Sequence, residues 1–146
     1  MTIQEKLKDL KELFSMFEDR KDQFIQLMDM AKESGVLSDS EKIDKNKTYG
    51  CTSQAWVVSK KNEDHTYTFR TDSDAMIVKG LLTLLENIFN GHKAIDICSY
   101  DSQIILKEIG LEGTISSQRT NGFSNAVEKI KSIIEWIQIK MNQYVS

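Results

Sequence analysis

The segment from Ala75 to Asn90 constrains the fold of this chain more than any other, because it is apolar on almost every side. Large apolar residues recur there at helical spacing, and the polar residues form one narrow strip that consists of Lys79, Thr83, Glu86 and Asn90. A helix of this kind is covered by neighbours on several sides. Gly80 costs it about 1 kcal/mol relative to alanine, which favours a close approach of another backbone. The segment predicts a central buried helix.

The residues in front of this helix predict a β-hairpin. Strands are expected from Ser53 to Lys60 and from His65 to Thr71, with the polar loop 61–64 between them. In the second strand the residues Tyr67, Phe69 and Thr71 alternate with more polar positions. Such alternation is typical of a sheet with one covered face and one solvated face. The hairpin therefore predicts a small antiparallel sheet that packs against helices.

The remaining chain is mostly helical in pattern. Amphipathic helices are predicted over residues 2–17 and 18–33, two short helical pieces over 93–112, and a last helix from Asn121 to about Tyr144. Residues 36–49 are predicted to be a polar connection, and 116–120 a polar connector. Trp136 and Ile139 lie off the apolar stripe of the last helix, as an exposed contact patch would. The expected fold is α+β, with about three antiparallel strands and several helices in one domain, 1–146.

Composition excludes several classes of function. The net charge of −3 argues against a nucleic-acid binder, which needs a basic face for phosphates. The two cysteines have no clustered nitrogen or sulfur partners, so neither a zinc site nor an iron–sulfur cluster is expected on this chain alone. No apolar stretch is long enough to cross a bilayer, and the N-terminus does not resemble a signal peptide. A reducing compartment, the cytoplasm or an organelle matrix, suits two unpaired thiols.

Cys51 is the residue to which we assign chemistry. It follows Gly50, which permits a sharp bend, and the polar residues Thr52, Ser53 and Gln54 separate it from strand residues. A cysteine on such a loop can offer its sulfur to a partner. Cys98 lies among apolar neighbours in the sequence and is interpreted as packing. A single-cysteine thiol redox sensor or peroxidase-like protein would also use one accessible thiol, and remains an alternative.

Three sequence blocks resemble those of a known family. Residues 50–56 read Gly50-Cys51-Thr52-Ser53-Gln54-Ala55-Trp56 and resemble the GCxSxVW signature of the SufE family, with alanine where the family usually has valine. Residues 72–82 are similar to its DSDAxIVKGLL block, and 117–122 to its SRxNG-type block, with one intervening glutamine. The blocks occur in the family's order. The family's proline-rich stretch before the cysteine is replaced by residues 35–40.

The resemblance implies a SufE/NifU-like fold and a sulfur-acceptor function. Cys51 would take persulfide sulfur from a PLP-dependent cysteine desulfurase (SufS/CsdA-like), stimulate that enzyme, and pass the sulfur to a SufBCD-like iron–sulfur scaffold complex. The chain would then be a carrier and activator rather than an enzyme, and would hold no metal and no cofactor of its own. Nucleic acid and membranes are not expected partners.

The charged members of the matching blocks are candidates for recognition of the desulfurase. Asp74 and Arg119 are expected near the cysteine loop, where they would steer the partner. Their structural alternatives are a helix cap for Asp74, as for Asp72, and an ordinary salt bridge for Arg119. We also expect the loop that holds Cys51 to exist in two states. In the free protein the sulfur would turn toward the apolar helix, with Gly80 as a close neighbour, and docking would turn it outward.

Overall fold

The computed structural model describes residues 1–49 and 53–145. These residues form six helices, namely α1 (Ile3–Ser15), α2 (Arg20–Glu33), α3 (Met76–Phe89), α4 (Ala94–Ile97), α5 (Ser102–Ile109) and α6 (Ser117–Val145). They also form four strands, namely β1 (Lys47–Thr48), β2 (Ala55–Lys61), β3 (Thr66–Ser73) and β4 (His92–Lys93), and a 3₁₀ turn at Asp44–Asn46. The α+β prediction is confirmed.

The sheet is antiparallel throughout, with strand order β1-β2-β3-β4. It contains four strands where about three were predicted, because β1 and β4 have two residues each and are too short to show alternation. In β3, Tyr67, Phe69 and Thr71 are buried while Arg70 is exposed, so the predicted inward face is confirmed. Residues 36–49, predicted to be a connection, contain the 3₁₀ turn and the first strand.

Helix α3 occupies the centre of the fold, as its composition predicts. It packs against β3, α1, α2 and α6, and Leu84, Leu85, Ile88 and Phe89 are completely buried. A Cβ atom on Gly80 would overlap the Leu27 carbonyl oxygen and lie 2.8 Å from the Leu27 carbonyl carbon. The predicted close approach is therefore confirmed, and its partner is the backbone of α2. Whether Gly80 also adjoins Cys51, as the sequence predicts, lies outside the described residues.

The polar strip of α3 lies against the outer edge of β3. The Asn90 side chain accepts a hydrogen bond from Phe69 N–H at 2.6 Å and donates one to Phe69 C=O at 3.3 Å. Lys79 is 3 % exposed, and its ammonium donates to Thr71 C=O and lies 3.5 Å from a Glu86 carboxylate oxygen. Strand β4 pairs with β3 only at Thr66 and Tyr67. Beyond those two residues, the side chains of Asn90 and Lys79 satisfy the backbone groups on this edge of β3.

Helices α3 and α6 begin in ways that the sequence did not predict. The Asp72-Ser73-Asp74 segment was expected to cap α3, but the N-cap residue is Ala75, without a side-chain cap, and Asp72 and Ser73 belong to β3. Helix α6 begins at Ser117, four residues before the predicted Asn121. Ser116 explains the early start, because its side chain accepts a hydrogen bond from Arg119 N–H at 3.3 Å, as an N-cap does.

Candidate functional site

The cysteine segment connects two paired strands. Thr48 of β1 pairs with Ala55 of β2, so residues 49–54 join neighbouring antiparallel strands. The predictions for Gly50, Cys51 and Thr52 lie outside the described residues. The structure describes the two flanks of these three residues. On one side Tyr49 is 63 % exposed, and on the other side Ser53 and Gln54 lead into β2.

Three hydrogen bonds fasten Gln54 to the junction between β3 and α3. Gln54 N–H donates to the Asp74 carboxylate at 2.9 Å, and Asp74 N–H donates to Gln54 C=O at 3.1 Å. The Ser73 hydroxyl also donates to Gln54 C=O, at 2.7 Å, while accepting from Ala75 N–H at 3.2 Å. Asp74 therefore holds one flank of the cysteine segment instead of capping the helix, which corrects that alternative for Asp74.

A small, mainly apolar depression lies beside the same segment, and we call it the junction pocket. Residues from around the three sequence blocks line it: Thr48 of β1, the following Tyr49 and Ala55 of β2, then Val78, Leu81 and Leu82 from α3, and Arg119, Gly122 and Phe123 from α6. Segments far apart in sequence thus meet where the described flanks of the cysteine segment lie. The sequence predicted that α3 would wall this region, whereas the contribution of Phe123 and its neighbours required the tertiary fold.

Arg119 is a half-buried cation at the rim of the junction pocket. Its guanidinium carbon lies 5.9 Å from the centre of the Phe24 ring, which places the charge over an aromatic face. Within residues 1–49 and 53–145, no carboxylate forms a salt bridge with Arg119. The ordinary salt bridge proposed as its structural role is therefore not found there. The guanidinium remains able to pair with an anionic group of a partner.

Asp72 joins the segment before β1 to the sheet, a role that the sequence did not reveal. Its carboxylate accepts hydrogen bonds from Leu37 N–H at 3.1 Å and from Ser73 N–H at 2.9 Å, and lies 3.3 Å from the Lys42 ammonium. Burial raises the pKa of Asp72, but these hydrogen bonds and Lys42 outweigh it, so the pKa is lowered. Asp72 also loses its predicted role as a helix cap, because its carboxylate is directed to Leu37.

A second ion pair fastens the same segment, two residues before Asp72 and on the same face of β3. The Arg70 guanidinium donates two hydrogen bonds to the Glu41 carboxylate. The hydrogen bond from Arg70 is the main reason that the pKa of Glu41 is lowered. Together with Asp72, this pair fixes residues 37–42 to β3. The segment that replaces the family's proline-rich stretch is therefore held by polar contacts.

Cys98 is exposed, which corrects its interpretation as a packing residue. The preceding Ile97 is fully buried and takes the place in the core that the apolar pattern indicated. Desolvation raises the pKa of the Cys98 thiol, Glu135 raises it further, and Lys131 opposes both effects. A thiol with a raised pKa is a poor nucleophile near neutral pH. Cys98 is therefore accessible, but its raised pKa disfavours the thiolate form that sulfur transfer requires.

The described residues contain neither a cluster of metal ligands nor a membrane-spanning helix. In that part of the chain no group of three or more histidine, cysteine, aspartate or glutamate side chains could hold a metal ion. None of its helices has the length and apolar character needed to cross a membrane. His65 occupies an exposed turn with a φ of 70°, outside the strand predicted for it. His92 lies in β4 and pairs with Tyr67 of β3.

Comparisons with known proteins point to one family. The SufE family model, described as "Fe-S metabolism associated domain", matches residues 8–134. An uncharacterized SufE-like protein of Rhizobium meliloti (strain 1021) is 34 % identical over 125 residues, which are 84 % of this chain and 89 % of that protein. SufE-like protein 1 of Arabidopsis thaliana, named chloroplastic/mitochondrial, is 28 % identical over 92 % of this chain, which spans only 36 % of that longer protein.

A solved structure shares the fold at low sequence identity. The solution structure of a hypothetical protein from Thermus thermophilus superposes with a TM-score of 0.72 and 17 % identity. The match covers 89 % of this chain and 93 % of that chain. At this identity the likeness shows the fold alone, and it agrees with a small antiparallel sheet covered by helices.

Proposed function

The chain belongs to the SufE family, and on that premise we propose that it accepts persulfide sulfur on Cys51 from a PLP-dependent cysteine desulfurase. The family has a sulfur-transfer role in iron–sulfur metabolism, and its members are sulfur-transfer partners rather than conventional enzymes. The finer assignment of the acceptor residue, the stimulation of the desulfurase and the delivery to a SufBCD-like scaffold complex form the proposal. It treats residues 1–146 as one domain in the cytoplasm or an organelle matrix.

The junction pocket is the observation that supports this proposal. Residues around the cysteine block, the α3 block and the α6 block are distant in sequence, yet they line one depression. The described flanks of the cysteine segment lie at this depression, and Gln54 is fastened beside it. A sulfur carrier needs a docking surface around its thiol more than it needs a catalytic dyad. The arrangement fits that requirement.

The transfer itself needs no cofactor on this chain. The Cys51 thiolate attacks the outer sulfur of the desulfurase persulfide, and the S–S bond of that persulfide breaks. The electron pair of the broken bond leaves with the desulfurase cysteine as a thiolate, and a new S–S bond forms on Cys51. The number of disulfide-type bonds is unchanged, so no external oxidant or reductant enters the step. Delivery to the scaffold would repeat the exchange in the same sense.

We further propose that the junction pocket shields the sulfur between transfers. Val78, Leu81 and Leu82 offer apolar surface near the flanks of the cysteine segment. Apolar surroundings raise the pKa of a thiol and lower its reactivity. Docking of the desulfurase would favour an outward state through contacts that only that state makes. The free protein should then alkylate slowly at Cys51, and a catalytically inactive desulfurase should accelerate the labelling.

Persulfide mapping tests the acceptor assignment. The protein is incubated with a cysteine desulfurase and L-cysteine, and its peptides are analysed by mass spectrometry for one added sulfur atom. We expect the added sulfur on Cys51 in the wild type and in the matched Cys98→Ser variant. Sulfur found on Cys98 alone, or a Cys51→Ser variant that still relays sulfur, would contradict the assignment. Rapid sulfenate formation at Cys51 without sulfur relay would support the redox-sensor alternative.

Charge reversal tests the recognition role of Arg119. Arg119→Glu should reduce stimulation of the desulfurase and change its salt dependence, because a rim charge acts mainly on association. The matched control is Lys131→Glu, which places the same reversal on α6 beside Cys98, away from the junction pocket. Asp74→Lys tests the other proposed charge in the same assay. Unchanged stimulation by both Arg119→Glu and Asp74→Lys would confine these residues to structural roles.

A further inference from the structure

The two outer edges of the β2–β3 hairpin differ in how far the rest of the chain satisfies their backbone hydrogen bonds. The outer edge of β3 is satisfied by β4 and by the side chains of Asn90 and Lys79. The outer edge of β2 pairs with β1 only at Ala55 and Trp56. Within the described residues, no strand continues that pairing along the last four residues of β2. The 3₁₀ turn at Asp44–Asn46 and helix α6 also pack against β2, but among the described residues this part of its outer edge has no strand partner.

The register of the hairpin shows which backbone groups point outward. Asp74 N–H bonds Gln54 C=O, and Asn62 N–H bonds Thr66 C=O, so even-numbered residues of this stretch exchange hydrogen bonds with β3. In an antiparallel ladder the alternate residues direct their N–H and C=O groups to the other side. Ser59 and Lys61 therefore present donors and acceptors at the outer edge. A strand edge of this kind can pair with an added extended segment.

A groove runs beside this edge, between β2 and α6, and we call it the β2 groove. Its lining includes Lys45, Val57, Ser59, Lys129, Ile133 and Trp136. Trp136 is 57 % exposed, although it lies within a long helix. The exposed tryptophan predicted from the sequence is thus confirmed, and it stands where a side chain of an added strand would pack.

The charges around the β2 groove are of one sign. Lys45 and Lys129 line it, and no carboxylate is found among its described lining residues. The Lys140 ammonium lies 5.5 Å from the centre of the Trp136 ring, and the Lys61 ammonium lies 3.4 Å from the Met141 sulfur. Two lysines therefore line the groove and Lys140 lies over its tryptophan, in a chain whose net charge is −3. The acidic residues Glu128 and Glu135 of α6 line the separate surface beside Cys98.

We infer that the β2 groove binds an extended, acidic segment of a partner protein, which adds as a strand to β2. Its backbone pairs with Ser59 and Lys61, an apolar side chain packs on Trp136, and carboxylates pair with the surrounding lysines. Lysines on an edge strand can also serve only to prevent unwanted pairing. That role accounts for Lys60 and Lys61 but not for the exposed Trp136. Lys129 of α6 also donates a hydrogen bond to Lys45 C=O at 2.8 Å, which fastens the 3₁₀ turn at one end of the groove. The inference does not depend on the sulfur chemistry of Cys51.

Synthetic peptides test the inference on the intact protein in the absence of any desulfurase. The probe is a fluorescein-labelled peptide of about eight residues that alternates glutamate with valine or isoleucine, and binding is followed by anisotropy. We expect saturable binding that weakens with salt, and no binding of the matched peptide that has lysine in place of glutamate. Absence of saturable binding up to about 1 mM, or equal binding of both peptides, would overturn the inference.

N-methylated peptides distinguish strand addition from other modes of binding. Methyl groups on alternate amides block one hydrogen-bonding edge of the peptide and leave the other edge intact. One of the two alternately methylated isomers should therefore lose binding, while the other keeps it. Equal affinity of both isomers, or tighter binding of a helical peptide of the same composition, would refute strand addition.

Variants locate the binding site. Trp136→Ala should weaken binding at least about tenfold, as loss of an aromatic anchor does, and Lys129→Glu should weaken it about tenfold. The control Lys131→Glu lies on the same helix but beside Cys98, and should change the affinity less than about twofold. Equal effects of the two lysine variants would show that only net charge matters, which contradicts a defined site. Because no sulfur transfer is measured, failure here leaves the persulfide mapping of Cys51 unaffected.

Discussion

The hydrogen bond between Gln54 and Asp74 provides a way to alter the cysteine segment without touching the cysteine. Asp74→Ala removes the acceptor of the 2.9 Å bond from Gln54 N–H, while the bonds from Asp74 N–H and the Ser73 hydroxyl to Gln54 C=O remain. The lost bond has a charged acceptor but is exposed to solvent, so its removal should cost about 1 kcal/mol. If the released state of this flank becomes about 1 kcal/mol more favourable than in the wild type, its population rises about fivefold.

Alkylation of Cys51 is the assay for this change. It is measured in a Cys98→Ser background, because the exposed Cys98 would otherwise react as well. We expect Asp74→Ala to increase the rate of labelling at Cys51 up to about fivefold. The matched variant Asp74→Asn keeps an acceptor oxygen at the same position, and should change the rate less than about twofold.

Two results would refute this reasoning. An unchanged rate in Asp74→Ala would show that the bond to Gln54 does not control access to the thiol. Equal acceleration in Asp74→Ala and Asp74→Asn would assign the effect to the lost negative charge near the start of α3 instead of the hydrogen bond. Urea unfolding of both variants provides the control for global destabilisation, because a rate increase that follows the unfolding free energy would not report on the segment.

Three further predictions concern stability and reactivity. Gly80→Ala should lower the free energy of unfolding by about 1–3 kcal/mol, because the overlap with Leu27 outweighs the gain in helix propensity. The control Gly35→Ala, where a Cβ atom would meet nothing within 4 Å, should change the free energy of unfolding by less than about 0.5 kcal/mol. A Gly80→Ala variant that is more stable than the wild type would contradict the close approach. The lowered pKa of Asp72 stabilises the fold above its unfolded pKa of about 3.9, and this contribution is lost as pH falls through the lower folded pKa. Asp72→Asn should therefore flatten the acid limb of stability measured by urea unfolding, and an unchanged limb would refute the role of the carboxylate. Cys98, whose pKa is raised, should react with iodoacetamide more slowly than free cysteine at neutral pH and accelerate toward alkaline pH; a rate equal to that of free cysteine would contradict the raised pKa.

Local patterns sufficed for the elements that carry strong periodicity. The apolar segment 75–90 predicted α3 and its central position, and the alternation of Tyr67, Phe69 and Thr71 predicted the covered face of β3. They failed for β1 and β4, since two-residue strands exist only through pairing with a neighbour. They also failed for Cys98, because an apolar neighbourhood in a short helix does not reveal which residue faces the core.

The sequence indicated which charged residues lie near the cysteine segment, but not what those residues contact. The sequence blocks selected Asp74 and Arg119, and the structure places both near the described flanks of the cysteine segment. Aspartate is a common helix-capping residue, yet the Asp74 carboxylate accepts a hydrogen bond from the backbone N–H of Gln54, which is 20 residues away. Competition between a local partner and a distant partner of similar strength is decided by the tertiary fold. No pattern in the neighbouring sequence contains that information.

The polar strip of α3 shows the same limit in physical terms. On the sequence it resembles the solvated side of a helix, but Lys79 is buried and Asn90 binds the backbone of Phe69 on both its N–H and C=O. These side chains are required because β3 is longer than its partner β4, and a buried strand edge must have its backbone groups satisfied. The corresponding edge of β2 lacks such side chains among the described residues and is bordered by lysines and an exposed tryptophan. Within residues 1–49 and 53–145, one edge of the hairpin is thus satisfied internally, whereas the other has no strand partner beyond Trp56 and is bordered by lysines, and this difference is the reason for the intermolecular strand that we propose there.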